Sequence, residues 1–247
     1  MLVLLPPSEG KAAPPAGGPV DLAELAFAAE LTERRRKLLA TLAGLASMPL
    51  AEARAALGVP ESQAGEVAVD AGLAGAPAAP AGEVYTGVLY DHLGLPGLPA
   101  AARRRVLIAS ALWGVLRAED RIPCYRLAAK AKLPGIDGLA AFWRPALAEA
   151  MPDEPGDLIL DMRSGPYAAF WKPKQATLLG VRAFSEQGGR RKTISHMAKA
   201  VRGDVAQALL GARKPPSDPE GAAALAEAAG FTVELTGTTL DVIVPGE

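Results

Sequence analysis

Short unbroken apolar runs recur along this chain, separated by stretches in which apolar residues return every three or four positions. Leu2 to Leu5 is such a run, stopped by Pro6 and Pro7. It reads as a buried strand feeding a loop, because proline cannot donate to a sheet ladder. Val106-Leu107-Ile108-Ala109 reads as a central strand and Leu158 to Met162 as a second buried one. Leu178 to Phe184, Lys192 to Ser195, Phe231 to Leu235 and Leu240 to Val244 are further strands. Helical periodicity covers a long region capped by Asp21 and reaching Leu45, then Met48 to Leu57, part of Val84 to Leu93, Leu139 to Met151 and Pro219 to Ala229. Met197, Val201, Val205 and Leu209, spaced by four, mark one apolar helical stripe. Ala12 to Pro19 and Ala71 to Gly82 are rich in Pro, Gly and Ala and read as a surface loop and a connector. Strands and helices interleave without a repeat or a strong linker. The pattern therefore predicts a single mixed α/β domain over residues 1–247, with a central sheet.

Composition narrows the function classes more than the fold. The chain has 247 residues, half of them hydrophobic, and a formal net charge of -1. Non-specific attraction to nucleic acid through overall charge is excluded, so such binding needs a local basic cleft. One cysteine, Cys124, leaves no intramolecular disulfide, and two histidines, His92 and His196, make a Cys/His zinc site improbable. No metal or cofactor is expected, since scattered carboxylates give no recognisable ligand set for iron. Met1 to Leu5 is too short for a secretory core and lacks a basic lead-in, and no stretch approaches the roughly 20 apolar residues of a membrane span. The expectation is a cytoplasmic protein without a membrane partner, of open oligomeric state.

Polar chemistry collects where the predicted strands end. After Val106 to Ala109 come Ser110, Trp113, a glycine break at Gly114, and then Arg117, Asp120, Cys124, Tyr125 and Arg126. Strand ends that empty into glycine-containing loops are common sites of binding in α/β proteins. Guanidinium groups bind phosphate or carboxylate in bidentate geometry, and an adjacent Asp orients them. The plain alternative is an Arg–Asp network that only stabilises a loop. Cys124 has Arg121 and Arg126 nearby to lower its pKa, yet no partner base is evident. The loop Pro6-Pro7-Ser8-Glu9-Gly10-Lys11 offers backbone N–H groups and an ammonium to an anion, but lacks the glycine spacing of a Walker A loop.

On a helix, Ser195, Lys199 and Arg202 share one face, suited either to an anion-facing wall or to plain solvation. Asp161 to Tyr167 is another polar loop at a strand end, and Trp171-Lys172-Pro173-Lys174 follows it. The run Arg34-Arg35-Arg36-Lys37 reads as a solvated helical face. No G-x-S-x-G elbow supports a Ser-His-Asp hydrolase.

These segments carry a family resemblance. Leu2 to Lys11, Val84-Tyr85-Thr86-Gly87, Ser110 through Arg126 and Ile194 through Gly203 are similar, in order and spacing, to the YaaA family (DUF328/UPF0246), with further agreement at Phe142-Trp143 and Asp161 to Tyr167. The resemblance implies one mixed α/β unit around a positively charged cleft, and a cytoplasmic role in peroxide stress where members limit free iron and oxidative DNA damage. It also implies DNA binding with a helix-hairpin-helix element. Carried over by motif, Arg117, Arg126, Lys199 and Arg202 would line the cleft, while Tyr85, Ser110, Asp120 and Tyr125 would shape it.

The chain departs from the pattern in two places. Its first loop places the lysine at Lys11 instead of in a Ser-Pro-x-Lys-Thr loop, and Ala46-Ser47-Met48-Pro49 lacks hairpin glycines. Lys132 to Gly138 reads as a turn. The resulting expectation is a DNA- or nucleotide-phosphate-binding protein of the peroxide response that contacts backbone through Lys11, Arg117, Arg126, Lys199 and Arg202, with Ser8, Tyr85 and Ser195 shaping the cleft. The alternative is an enzyme acting on a small phosphorylated or nucleotide-like substrate, with Ser110, Asp120 and Tyr125 as catalytic candidates.

Overall fold

The computed structural model describes residues 1–188, 190–193 and 197–245. Ser195 and His196 lie outside the described residues, as does the end of the strand expected to run to Ser195. The first part of the chain forms β1 (Leu2–Leu5), α1 (Ala28–Leu45), α2 (Leu50–Leu57), α3 (Glu66–Ala71), β2 (Ala79–Pro80), α4 (Ala81–Val84), α5 (Val88–Leu93) and α6 (Ala100–Arg103). A hairpin of β3 (Val106–Ser110) and β4 (Gly114–Arg117) follows, then β5 (Arg121–Ile122), α7 (Leu139–Ala150), β6 (Leu158–Asp161) and α8 (Gly165–Ala168). The chain continues through β7 (Thr177–Gln187), β8 (Arg190–Thr193), α9 (Met197–Gly211), α10 (Pro219–Ala228), β9 (Thr232–Thr236) and β10 (Thr239–Pro245).

The main sheet runs β4-β3-β1-β6-β7-β10-β9, with β8 pairing β7. β3, β1, β6, β7 and β10 are parallel, and antiparallel β4 and β9 close the two edges. Parallel strands covered on both faces must be apolar throughout, and Val3 to Leu5, Val106 to Ala109 and Leu158 to Leu160 are all buried. The fold is thus a single mixed α/β domain around a mostly parallel eight-stranded sheet.

From β1 the chain goes to the β3 side of the sheet, whereas from β6 it goes to the β7 side. The loops leaving the adjacent carboxyl ends of β1 and β6 therefore diverge and leave a crevice between them, the place where open α/β sheets hold ligands. β7 begins beside β6 at Thr177–Gly180 and then exchanges that neighbour for β8 at Phe184–Gln187.

Several expectations are corrected. Asp21 caps only a turn, its Oδ1 accepting from Ala23 N at 2.9 Å, and the helix starts at Ala28 after Phe27 turns left-handed. Ala71 to Gly82 is not a loose connector: α3 ends within it, Ala79–Pro80 pairs with β5, and Ala78 is fully buried. Met197 is exposed, so the buried stripe of α9 runs from Val201 through Val205 to Leu209. The residues after Ser110 form not an open loop but a tight hairpin. Gly114 takes φ 76° there, and a Cβ at this position would come within 2.8 Å of the Trp143 ring.

Of the run expected to be solvated, Arg36, paired with Glu33, and Lys37 are exposed, whereas Arg34 donates to the Phe142 carbonyl and Arg35 is wholly buried. No helix precedes the Lys132 to Gly138 turn, which is tied to α2 by Lys132 N donating to the Ala56 carbonyl at 2.9 Å.

Candidate functional site

Immediately beyond β1, the strand-ending prolines turn the backbone into the wall of a cavity of about 540 Å³. The loop from Pro6 to Lys11 supplies one side, and Ser164, Pro166 and Tyr167, following β6, supply the other. Val88 to Tyr90 of α5, Arg126 to Lys130, and Lys199 and Arg202 of α9 complete it. Arg163 fixes the turn after β6. Its Nε and Nη2 bind both oxygens of Asp161 at 2.8 and 2.9 Å, and its Nη1 donates to the Trp171 carbonyl at 3.0 Å.

The helix of Lys199 and Arg202 comes close because Gly203 has no side chain. A Cβ there would lie 2.5 Å from the Leu89 carbonyl oxygen, so only glycine lets α9 press on α5. Arg202 Nε donates to the Val181 carbonyl at 3.1 Å, which ties this wall to β7.

Five cations (Lys11, Arg126, Lys130, Lys199 and Arg202) and one carboxylate, Glu9, line the cavity. Lys130 and Lys199 are exposed at its mouth, while Lys11, Arg126 and Arg202 are half-buried. Burial lowers the Arg202 guanidinium from its usual range, partly opposed by Asp161. The rest of the wall is apolar or aromatic: Pro6, Pro7, Leu89, Leu127 and the rings of Tyr90 and Tyr167. Tyr90 donates its hydroxyl to the Pro6 carbonyl at 2.7 Å, and burial pushes its pKa well up; Tyr167 is pushed up to about 12 for the same reason. Both phenols therefore stay protonated at neutral pH.

Ser8, Lys11, Arg126, Lys199 and Arg202 are brought together here as sequence reasoning expected, and Arg117 is not. Arg117 ends β4 at the sheet edge, exposed, with its guanidinium 5.9 Å from the centre of the Phe27 ring. The reason is the hairpin: by returning antiparallel to β3, it carries Arg117 away from the strand ends. Asp120 is not among the residues lining this cavity either. Its Oδ2 accepts from Arg117 N at 3.0 Å and Ala26 N at 3.1 Å, and burial raises its pKa.

Ser110, Tyr125 and Tyr85 form a buried chain of hydroxyls, with 2.7 Å from Ser110 Oγ to Tyr125 Oη and 2.7 Å from there to Tyr85 Oη. Their hydroxyls engage one another, and the rings of Tyr125 and Tyr85 lie under Lys11 Nζ at 4.5 and 5.6 Å. The Cys124 thiol is raised by burial, so it is not the activated thiolate that neighbouring arginines suggested; Arg121 instead donates to the Ala78 carbonyl. Trp113 is fully buried, and Lys172 and Lys174 lie away from the cavity.

Asp70 was missed from sequence. It is buried, its Oδ1 accepts from Arg126 N at 2.7 Å, and its Oδ2 has no partner among the described residues. Burial raises it to about 7, against the pull of the Arg126 backbone N–H and the charges of Lys11 and Arg126. Its signal was there: a carboxylate three residues after buried Val67, on the inward face of a short helix. A second cavity of about 350 Å³ adjoins the first, sharing Glu9, Gly10, Lys11 and Arg126 and extending to Gln63, Glu66, Cys124 and Tyr125. Among the described residues no cluster of three His, Cys, Asp or Glu side chains is placed to hold a metal ion, and no helix is long and apolar enough to cross a membrane.

Comparison with known proteins places the whole arrangement. The chain is 46% identical to a UPF0246 protein of Streptomyces coelicolor, covering 99% of this chain and 98% of that one. It is 38% identical to a UPF0246 protein of Corynebacterium efficiens, over 95% of each chain. A UPF0246 protein of Ruegeria is 39% identical over 44% of this chain and 47% of its own. The family model described as peroxide stress protein YaaA matches residues 1–234, and the chain therefore belongs to the YaaA family of peroxide stress proteins.

Proposed function

We propose that this protein serves the peroxide response by binding a phosphate-bearing, nucleotide-sized ligand in the crevice between β1 and β6. The observation that carries the reading is the convergence of five cations and one carboxylate on a cavity of about 540 Å³ in a chain whose net charge is -1. That volume falls in the range of small-molecule sites. The cations suit phosphate, and the apolar and aromatic wall at Leu89, Leu127, Tyr90 and Tyr167 suits the flat, less polar part of a nucleotide. The family name supplies the peroxide context.

A second reading, a DNA backbone laid across the mouth, is favoured by the exposure of Lys130 and Lys199 there. Calorimetric titration with mononucleotides and with a short duplex, at two salt concentrations, separates the two. Nucleotide binding that Arg126→Ala weakens about ten-fold is the expected result, a loss of about 1.4 kcal/mol for one charge-assisted contact. Duplex binding that collapses with salt, with no response to mononucleotide, moves the assignment to DNA. Absence of both overturns the site.

A further inference from the structure

Lys11 differs from the other cations of the cavity. Its Nζ makes one hydrogen bond, to the Ser8 carbonyl oxygen at 2.8 Å, and no ion pair among the described residues. A carbonyl also accepts, more weakly, from a neutral amine, so this contact survives loss of the charge. The nitrogen rests over two tyrosine rings that cannot move, because their hydroxyls are locked to each other and to Ser110 at the end of β3. It also stands where the two cavities meet, lining both. Burial and the adjacent Arg126 lower its pKa to about 8, outweighing the opposing pull of nearby acidic groups. Buried lysines of this kind are the usual source of amine nucleophiles.

We propose that Lys11 is a nucleophile that forms an imine with a ligand carrying an aldehyde or ketone besides its phosphate. This deepens the anion-binding reading of the same cavity and rests on it. The neutral Nζ attacks the carbonyl carbon, a C–N bond forms, and the carbonyl oxygen takes up a proton to give a carbinolamine. The oxygen then departs as water, carrying both hydrogens of the original amine, and leaves a C=N bond; no oxidant or reductant is consumed. Arg126, Lys199 and Arg202 hold the phosphate while Lys11 takes the carbonyl, a division of labour that a set of equivalent phosphate contacts would not need.

The test treats the full chain with less than one equivalent of pyridoxal 5′-phosphate, reduces with borohydride, and maps the modified lysine by peptide mass spectrometry. Lys11 is expected to carry most of the adduct, with Lys130 and Lys199 serving as internal controls. At about pH 7.5 an amine of pKa about 8 holds on the order of a hundred-fold more neutral form than an ordinary lysine, so labelling should rise with pH around 8 and not around 10. K11R should abolish the site-specific adduct while its circular dichroism stays that of the parent.

Labelling confined to Lys130 or Lys199, or spread evenly over the lysines, overturns the proposal. The two readings are separated by phosphate-free pyridoxal and by competition with inorganic phosphate. If pyridoxal labels Lys11 as fast as its phosphate ester and inorganic phosphate does not compete, the amine is reactive and the anion site is wrong. If phosphate compounds stabilise the protein against heat but Lys11 stays unmodified, the anion site stands and the imine does not.

Discussion

Two cations in this molecule, one wholly buried and one half-buried, sit beside buried carboxylates, and they come to opposite ends. Arg35, on α1, is wholly enclosed near Asp120 and donates to the carbonyls of Trp113 at 3.0 Å, Ala26 at 2.8 Å and Val115 at 3.0 Å. Asp120 is likewise taken up by two backbone N–H groups. Arg35 leaves one nitrogen, Nη1, without a partner among the described residues, but that nitrogen is sealed in the core; Lys11 and Asp70 make the second pair of groups, and there Lys11 opens onto a void. Lys11 has one carbonyl partner and an opening into two cavities, and Asp70 has an oxygen with no partner among the described residues. Polar groups that satisfy each other hold a fold together, whereas groups left partly unmet beside a void are available to a ligand. Arg35 and Asp120 are structure; Lys11 and its surroundings are a site.

The sharpest way to break this comparison is to treat Arg35 as expendable. Arg35→Met fills similar space but takes a donor from three carbonyls, of which that of Trp113 keeps Val115 N, and we expect a loss of about 3–5 kcal/mol in chemical denaturation. A variant as stable as the parent would show that this network does not stabilise the fold. Gly114→Ala should cost somewhat less, about 2–4 kcal/mol, by combining a left-handed backbone with a clash against the Trp143 ring. Gly114 lies between Trp113 and Val115, two of the three residues whose carbonyls Arg35 binds, so the two substitutions should be less than additive in a double-mutant cycle.

The contrast also explains what was legible in the sequence. The parallel strands could be read directly: strands covered on both faces leave continuous apolar runs such as Val106 to Ala109 and Leu158 to Leu160. β4 was not legible, because four residues ending in an arginine look like a loop, and the turn is set by Trp143, 29 positions beyond Gly114 in the chain. Arg117 was assigned to the cleft for the same reason. Its residue type was right for a phosphate, but the hairpin reversal that removes it is a tertiary event. That Arg126, Lys199 and Arg202 come together at one cavity was legible because cations on a strand-end loop and on one helix face leave local patterns. Tyr90, Lys130 and Asp70 left weaker ones, and Arg35 was hidden inside a run of four basic residues of which only one turns inward.

The smallest effect tests the other half of the comparison, at Asp70. In the unfolded chain its carboxyl titrates near the ordinary 3.8, and in the folded protein at about 7, because burial penalises the anion more than the neighbouring cations and the Arg126 N–H support it. A raised native pKa means that the folded state binds the proton more tightly. The associated stability is complete below about pH 4 and is lost as pH rises through about 7. Asp70→Asn keeps a carbonyl to accept from Arg126 N and places a neutral amide where the charge would be. The variant should match the parent near pH 4 and exceed it by about 1–3 kcal/mol at pH 8, measured by urea denaturation at both values. It should also draw the Lys11 labelling profile to lower pH, since the anion of Asp70 is one of the groups that favour the ammonium. A variant less stable at pH 8 would mean that the Asp70 anion is a needed counter-charge in the folded protein. The Lys11 side would then be held by its own charges as part of the fold, as the Arg35 side is by its hydrogen bonds, and the distinction between the two regions would fail at that point.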